Sequence, residues 1–98
     1  LTAPFKIYNG LSPNGDNRND YWRIDGIEAF PNNRVRVFDR FNNLIFETTG
    51  YNNEENNWRG QTNHSMISGN VPEGSYYYSV DLGDGSKLYS GYLVLKKN

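Results

Sequence analysis

Apolar and polar residues alternate along several short stretches of this chain, and no stretch of ten residues has the 3.6-residue apolar spacing of a helix. The clearest alternation is at 34–38, where Val35 and Val37 would face a core and Arg34 and Arg36 would face solvent. Six such stretches are predicted strands: 5–7, 21–24, 34–38, 44–47, 76–82 and 88–96. Turns rich in Asn, Pro and Gly separate them. The pattern therefore predicts an all-β fold, an immunoglobulin-like antiparallel β-sandwich of about seven short strands.

The last two predicted strands can be paired in register from the sequence. Asp84-Gly85 has the composition favoured for a two-residue type I′ turn. A hairpin centred there pairs these residues on its core-facing side: Leu82–Lys87, Val80–Tyr89, Tyr78–Gly91 and Tyr76–Leu93. Tyr77, Tyr92 and Val94 then form an outward strip that core packing does not explain, and we predict that a partner binds it. The alternatives are a self-stabilising surface pair of rings, or a face covered by residues 49–71.

The sequence also predicts a tyrosine corner and a tryptophan that anchors a polar segment. Pro72-Glu73-Gly74 forms a turn just before a strand rich in tyrosine. Tyr76 or Tyr78 is therefore predicted to be a tyrosine corner, with its hydroxyl bonded to a nearby backbone group. Residues 49–71 are polar and rich in asparagine, and Trp58 is predicted to anchor them to the core.

Length and composition narrow the functional classes. Residues 1–98 suffice for one domain, which we expect to be monomeric in isolation and to be excised from a larger protein, since no leader pattern opens the sequence. Ten basic and 11 acidic residues give a net charge of -1, which provides no basic excess for binding nucleic acid. There is no cysteine for a thiolate site and no apolar run of about 18 residues for membrane insertion.

No arrangement of residues predicts catalysis. His64 is the one histidine, and the polar loop around it supplies neither an orienting carboxylate nor a nucleophile on a rigid element. Glu54 and Glu55 lie in an asparagine-rich segment and are interpreted as a solvated face. We therefore predict no catalytic residues and no organic cofactor.

One loop has a spacing that suggests a metal. Asn14, Asp16 and Asp20 offer oxygen atoms at spacings similar to those of a Ca²⁺ loop. The loop lacks the glutamate and the turn glycine of an EF-hand, and Arg18 stands where another oxygen is wanted. Two interpretations remain open: a calcium site, or a pair of Asx-turns that bond their own backbone.

The aromatic residues permit a second functional class. They make up 15% of the chain, and Trp22 and Trp58 could form a platform for sugars. The competing interpretation is a core built from rings, as in most small sandwiches. A carbohydrate-binding or adhesive module of a surface protein is therefore the alternative function.

Several motifs occur in a fixed order along nearly the whole chain. They are Ser12-Pro13-Asn14-Gly15-Asp16, Asn19-Asp20-Tyr21-Trp22, Phe30-Pro31-Asn32-Asn33, Trp58-Arg59-Gly60, Pro72-Glu73-Gly74-Ser75-Tyr76 and Gly91-Tyr92-Leu93-Val94. Together they resemble the gliding motility-associated C-terminal domain of Bacteroidetes. Asn17 and Asn42 stand where that family usually has glycine, which asparagine can replace because it tolerates the left-handed conformation. Phe41 stands in place of a tryptophan.

The resemblance implies transport. Domains of this family act as the type B sorting signal of the type IX secretion system, at the C-terminus of large adhesins and secreted enzymes. The cargo would cross the periplasm and the outer membrane to the cell surface or medium. The implied partner is an outer-membrane barrel of the PorP/SprF type.

Overall fold

The computed structural model describes residues 5–12, 20–63, 71–85 and 88–96, and its secondary structure is almost entirely β. Within these ranges, seven strands follow one another: β1 (Lys6–Ile7), β2 (Gly10–Leu11), β3 (Ile24–Asp25), β4 (Arg34–Phe38), β5 (Leu44–Thr49), β6 (Gly74–Asp81) and β7 (Tyr89–Leu95). A 3-10 turn spans Ile27–Ala29. Within the described residues, no helix is long and apolar enough to cross a membrane.

The strands form two sheets. One has five strands in the order β2-β7-β6-β4-β5, and the other contains β1 and β3. The predicted all-β, sandwich-like fold is confirmed. One pairing departs from the antiparallel prediction, since β2 runs parallel to β7. Two residues are too few to show a period-2 pattern, so the sequence did not reveal β2 as a strand.

The strand predicted at 21–24 is mostly wrong. Only Ile24 of that stretch lies in β3. The backbone N–H of Trp22 donates instead to the Trp58 carbonyl, at 2.8 Å. This part of the chain is therefore held by the segment that contains Trp58 rather than by a sheet, although its apolar residues are buried as a strand's would be.

The register of the last hairpin is as predicted, but the predicted type I′ turn is wrong, because Asp84 lacks the positive φ that this turn requires. Tyr76 lies opposite Leu93, Tyr78 opposite Gly91, and Val80 opposite Tyr89. The Tyr78 ring lies across Gly91, where a Cβ atom would come within 2.7 Å of the Tyr78 hydroxyl oxygen. Lys87, the predicted partner of Leu82, lies outside the described residues. The sequence therefore identified both the pairing of the two longest strands and the glycine that their packing requires.

The tyrosine corner is also confirmed. The Tyr76 hydroxyl donates a hydrogen bond of 2.5 Å to the Pro72 carbonyl, four residues earlier. Burial raises the pKa of Tyr76 above its usual value. Because the ring also packs against Trp58, this bond fixes the start of β6 against the core.

Five of the 16 buried hydrophobic residues in the described chain carry rings, and these rings pack around the two tryptophans, while the other eleven are aliphatic. Trp58 is fully buried and contacts the rings of Phe46 and Tyr76, with centroids 6.5 and 5.6 Å away. Trp22 contacts Tyr51 and Tyr78 in the same way. Trp58 therefore anchors its segment as predicted. The described part of 49–71 packs through this ring against the core-facing side of the five-stranded sheet.

Around residues 49–63, asparagine side chains form the hydrogen bonds with backbone groups that a neighbouring strand would otherwise form. Asn33 is buried, and its side-chain amide donates to the carbonyls of Phe30 and Tyr51 while its oxygen accepts the Tyr51 N–H. Asn52 accepts three successive backbone N–H groups, those of Glu54, Glu55 and Asn56. Irregular backbone can lie against the core here because side chains satisfy its polar groups.

The outer edge of β5 is sealed by the same kind of contact. The Asn63 side chain accepts the Glu47 N–H and donates to the Glu47 carbonyl, both at 2.9 Å. The Asn63 backbone N–H donates to the Ile45 carbonyl, and the Asn56 amide donates to the Thr49 carbonyl. Asn63 thus occupies the position of a neighbouring strand, which protects this edge from pairing with another chain.

We expect Asn63→Ala to open this edge. The substitution removes both side-chain bonds to Glu47 and should lower the free energy of unfolding by about 1 kcal/mol. It should also cause concentration-dependent association, measured by sedimentation velocity. Asn32→Ala removes an exposed asparagine from a turn and is the matched control. A monomeric Asn63→Ala protein of unchanged stability would contradict the protective role.

Candidate interaction surface

The outward face of the five-stranded sheet carries a row of three rings. Phe38 on β4 lies opposite Tyr77 on β6, which lies opposite Tyr92 on β7. Tyr77 is 49% exposed and Tyr92 is 54% exposed, although both are large hydrophobic side chains. Cross-strand ring pairs stabilise a sheet by about 0.2–1 kcal/mol, and three adjacent strands make this row a continuous apolar strip. We call Phe38, Tyr77 and Tyr92 the ring row.

A shallow groove of about 470 Å³ follows the ring row. Its lining residues come from β4, β6, β7 and the β4–β5 turn: Phe38, Asn42, Tyr77, Tyr78, Ser79, Ser90, Gly91 and Tyr92. Asn42 has a positive φ of 68°, in agreement with the prediction that asparagine takes the place of a turn glycine there. The groove is open to solvent and combines aromatic walls with serine hydroxyls.

The predicted strip of Tyr77, Tyr92 and Val94 is only partly a single surface. Val94 is half-buried between Ser75 on β6 and Gly10 on β2. Phe38, which the sequence analysis missed, extends the strip in the other direction. Its alternation with Arg34 and Arg36 already assigned it to the outward side, but only the pairing of β4 with β6 brings it beside Tyr77. A role of these residues in binding stays a prediction.

The alternative that residues 49–71 cover this face is wrong for the described part of that segment. Trp58 lies on the opposite side of the sheet, against Phe46 and Tyr76. Next to the ring row, Arg36 pairs with Glu47 through a contact of 2.7 Å. The two charges of this pair therefore neutralise each other beside the rings.

The indole rings do not form a sugar platform. Trp22 and Trp58 are both completely buried, and their N–H groups donate to the carbonyls of Tyr8 and Gln61. The prediction of a ring-built core is correct for both tryptophans. Carbohydrate stacking in the described chain would have to use exposed rings such as Phe41, Tyr77 and Tyr92.

The predicted calcium loop is outside the described residues for the most part. Asn14 and Asp16 lie there, and so does His64. Asp20 is described and is half-buried. The described residues hold no group of three His, Asp or Glu side chains that could bind a metal ion. The calcium site of Asn14, Asp16 and Asp20 therefore stays a prediction.

The segment interpreted as a solvated acidic face matches that interpretation. Glu54 and Glu55 are exposed, and their backbone N–H groups bond to the Asn52 side chain. Their carboxylates extend from a turn held by Asn52, rather than from the walls of a cleft. The ring row is therefore the surface of the described chain with the clearest capacity to bind another molecule.

Comparison with known proteins identifies the family. No curated protein and no solved structure matches the chain. The family model described as CHU_C, type IX secretion signal domain, matches residues 5–95. This match covers all seven strands, the tyrosine corner and the ring row, and it agrees with the resemblance found in the sequence motifs. The chain belongs to the family of type IX secretion signal domains.

Proposed function

We propose that this domain is a non-catalytic sorting signal that directs an attached cargo, an adhesin or a secreted enzyme, through the type IX secretion system. The family match over residues 5–95 is the observation that carries the proposal. The cargo would travel through the periplasm and across the outer membrane to the cell surface or medium. The partner would be an outer-membrane component, a barrel of the PorP/SprF type.

A folded signal is recognised through its surface, and the ring row supports such a role. Tyr77 and Tyr92 expose about half of their surface on a regular sheet, so their positions are fixed before any partner binds. Fixed aromatic side chains lose little conformational entropy on binding, and tyrosine is enriched among residues that dominate interfaces. We propose that Tyr77, Tyr92 and Val94, together with Phe38, contact the secretion machinery.

The first test fuses residues 1–98 to a periplasmic reporter in a bacterium that has the type IX system and the partner barrel. The wild-type fusion should reach the medium or the cell surface. The double variant Tyr77→Ser/Tyr92→Ser should remain folded, because both side chains are exposed, and should accumulate in the periplasm with export reduced about tenfold or more. Export is measured by quantifying the reporter in periplasmic, surface and medium fractions.

The matched control is Arg34→Ser/Thr49→Ala. These two residues form an exposed cross-strand pair on β4 and β5, away from the ring row. The control should be exported like the wild type. A folded Tyr77→Ser/Tyr92→Ser fusion that is exported at the normal rate would remove the ring row from the proposal. Retention of the wild-type fusion in the periplasm would contradict the sorting function itself.

A further inference from the structure

The two edges of the five-stranded sheet differ in how their backbone groups are satisfied. At β5, asparagine side chains bind the outward groups of Glu47 and Thr49, and the backbone N–H of Asn63 binds the Ile45 carbonyl. At β7, the described part of the chain places β2 beside Val94 and Leu95 only. We propose that the edge of β7 at Ser90 and Tyr92 accepts an extended strand from the secretion partner, an inference that rests on the proposed function.

The direction of the backbone groups on β7 follows from its bonds to β2. The N–H groups of Val94 and Lys96 donate to the carbonyls of Asn9 and Leu11, at 2.9 and 3.0 Å. Backbone groups of a strand point to the same side at every second residue. Ser90 and Tyr92 therefore direct their N–H and C=O groups toward the side occupied by β2, whereas Gly91 and Leu93 direct theirs toward β6.

The chain diverges before it can cover this edge. Continuing β2 backward in the same register would place Tyr8 beside Tyr92 and Lys6 beside Ser90. Instead, β1 pairs with β3, and the Tyr8 N–H donates to the Arg23 carbonyl. Within the described residues, β7 therefore has a strand on its second side at Val94 and Leu95 but not at Ser90 and Tyr92.

The chemistry of this edge defines its occupant. Two N–H groups and two carbonyls lie in line at strand spacing, and an extended main chain offers the complementary groups at the same spacing. On the outward face, Leu88 and Tyr92 are exposed on either side of the small Ser90. An incoming strand with apolar side chains at alternate positions would pack against both while its backbone pairs with β7. The occupant is thus an extended, proline-free segment with alternating apolar residues.

Because the two edges of the five-stranded sheet differ, a partner strand can pair with β7 but not with β5. An exposed strand edge normally attracts unwanted pairing, and natural proteins cover or block it. Here Asn63 and Asn56 block β5, so a partner strand can extend the sheet at β7 without competition from the other side. The ring row reaches β7 through Tyr92, so the proposed strand site and the apolar groove form one continuous surface.

The test uses the same reporter fusion with Ser90→Pro. Proline at residue 90 removes the N–H that faces the open edge and leaves the ladder between β6 and β7 intact, since edge strands tolerate proline there. Export should fall about tenfold. Ser90→Ala removes the hydroxyl but keeps the N–H, so its export should be several times higher than that of Ser90→Pro. If Ser90→Pro does not fold, as judged by circular dichroism of the purified protein, Ser90→Lys replaces it, because a charge beside an edge disfavours strand pairing. Ser79→Lys brings the same charge into the groove on the inner strand β6, opposite Ser90, and should reduce export less.

The outcomes separate this inference from the sorting function. Loss of export by folded Ser90→Pro, with clearly higher export of Ser90→Ala, supports strand addition by the partner, and so does a larger loss by folded Ser90→Lys than by Ser79→Lys. Normal export of the variant that folds overturns it, while leaving the sorting function intact if the wild-type fusion is exported. A wild-type dimer in sedimentation that Ser90→Pro dissociates without loss of export would assign the edge to a second copy and would equally overturn it.

Discussion

Replacing Trp58 by alanine should remove most of the domain's free energy of unfolding and leave it only marginally stable at 25 °C. The side chain is completely buried and packs between the rings of Phe46 and Tyr76. Truncating a buried tryptophan costs about 3–5 kcal/mol. Domains of this size have total stabilities near the lower end of about 5–15 kcal/mol. Urea unfolding followed by circular dichroism, with purified wild-type protein as the reference, measures the loss.

Trp58→Phe is the matched variant for this prediction. It keeps a ring between Phe46 and Tyr76 but loses the N–H bond to the Gln61 carbonyl. Its free energy of unfolding should decrease less than that of Trp58→Ala, by about 1–3 kcal/mol. A Trp58→Ala protein whose urea midpoint stays close to that of the wild type would show that the segment around Trp58 does not hold the core together.

Tyr51→Phe should be the most disruptive single-atom deletion. The Tyr51 hydroxyl donates to the Trp22 carbonyl and accepts the Trp58 N–H at 3.0 Å, all inside the core. Phenylalanine leaves that carbonyl and that N–H buried without their partner. Because an unmet buried polar group costs about 1–3 kcal/mol, the variant should lose about 2–4 kcal/mol in urea unfolding. Tyr92→Phe, which removes an exposed hydroxyl, should change stability little.

Because of the same tyrosine, the free energy of unfolding should decrease at alkaline pH. Burial raises the pKa of Tyr51 far above its usual value, so the folded protein keeps the phenol protonated. Above about pH 10 the unfolded chain loses this proton and the folded one does not. The stabilising contribution is therefore complete below pH 10 and declines by about 1.4 kcal/mol per pH unit above it. Tyr51→Phe should show a shallower decline, and an identical slope in both proteins would contradict this assignment.

The sequence determined the hairpin register because two long strands and one turn leave a single pairing that keeps the apolar residues together. Tyr76 and Leu93 are opposite each other as that argument requires. Gly10–Leu11 gave no comparable signal, since its pairing with β7 depends on contacts far away in the chain. Phe38 was assignable to a face, but its place beside Tyr77 required the order of the strands in the sheet.

The asparagines show a second limit of sequence reasoning. The chain has 15 of them, and their preference for turns correctly indicated many short strands. Composition does not distinguish an asparagine that shapes its own turn, such as Asn42, from one that completes a distant hydrogen-bond network, such as Asn33. The difference depends on which backbone groups tertiary packing leaves unsatisfied. Asn63 at the edge of β5 belongs to this second kind.

The parallel pair of β2 and β7 determines when the sheet can be completed. Gly10 pairs with Val94, which lies about eighty residues later in the chain, so this contact forms late in folding. A chain that is made and exported from its N-terminus cannot display Tyr92 on a finished sheet until nearly the entire domain has arrived. A product that stops before β7 would also lose Leu93 and Leu95 from the core. Under the proposed function, a cargo truncated before β7 would therefore lack the surface around Tyr92 that we propose for recognition.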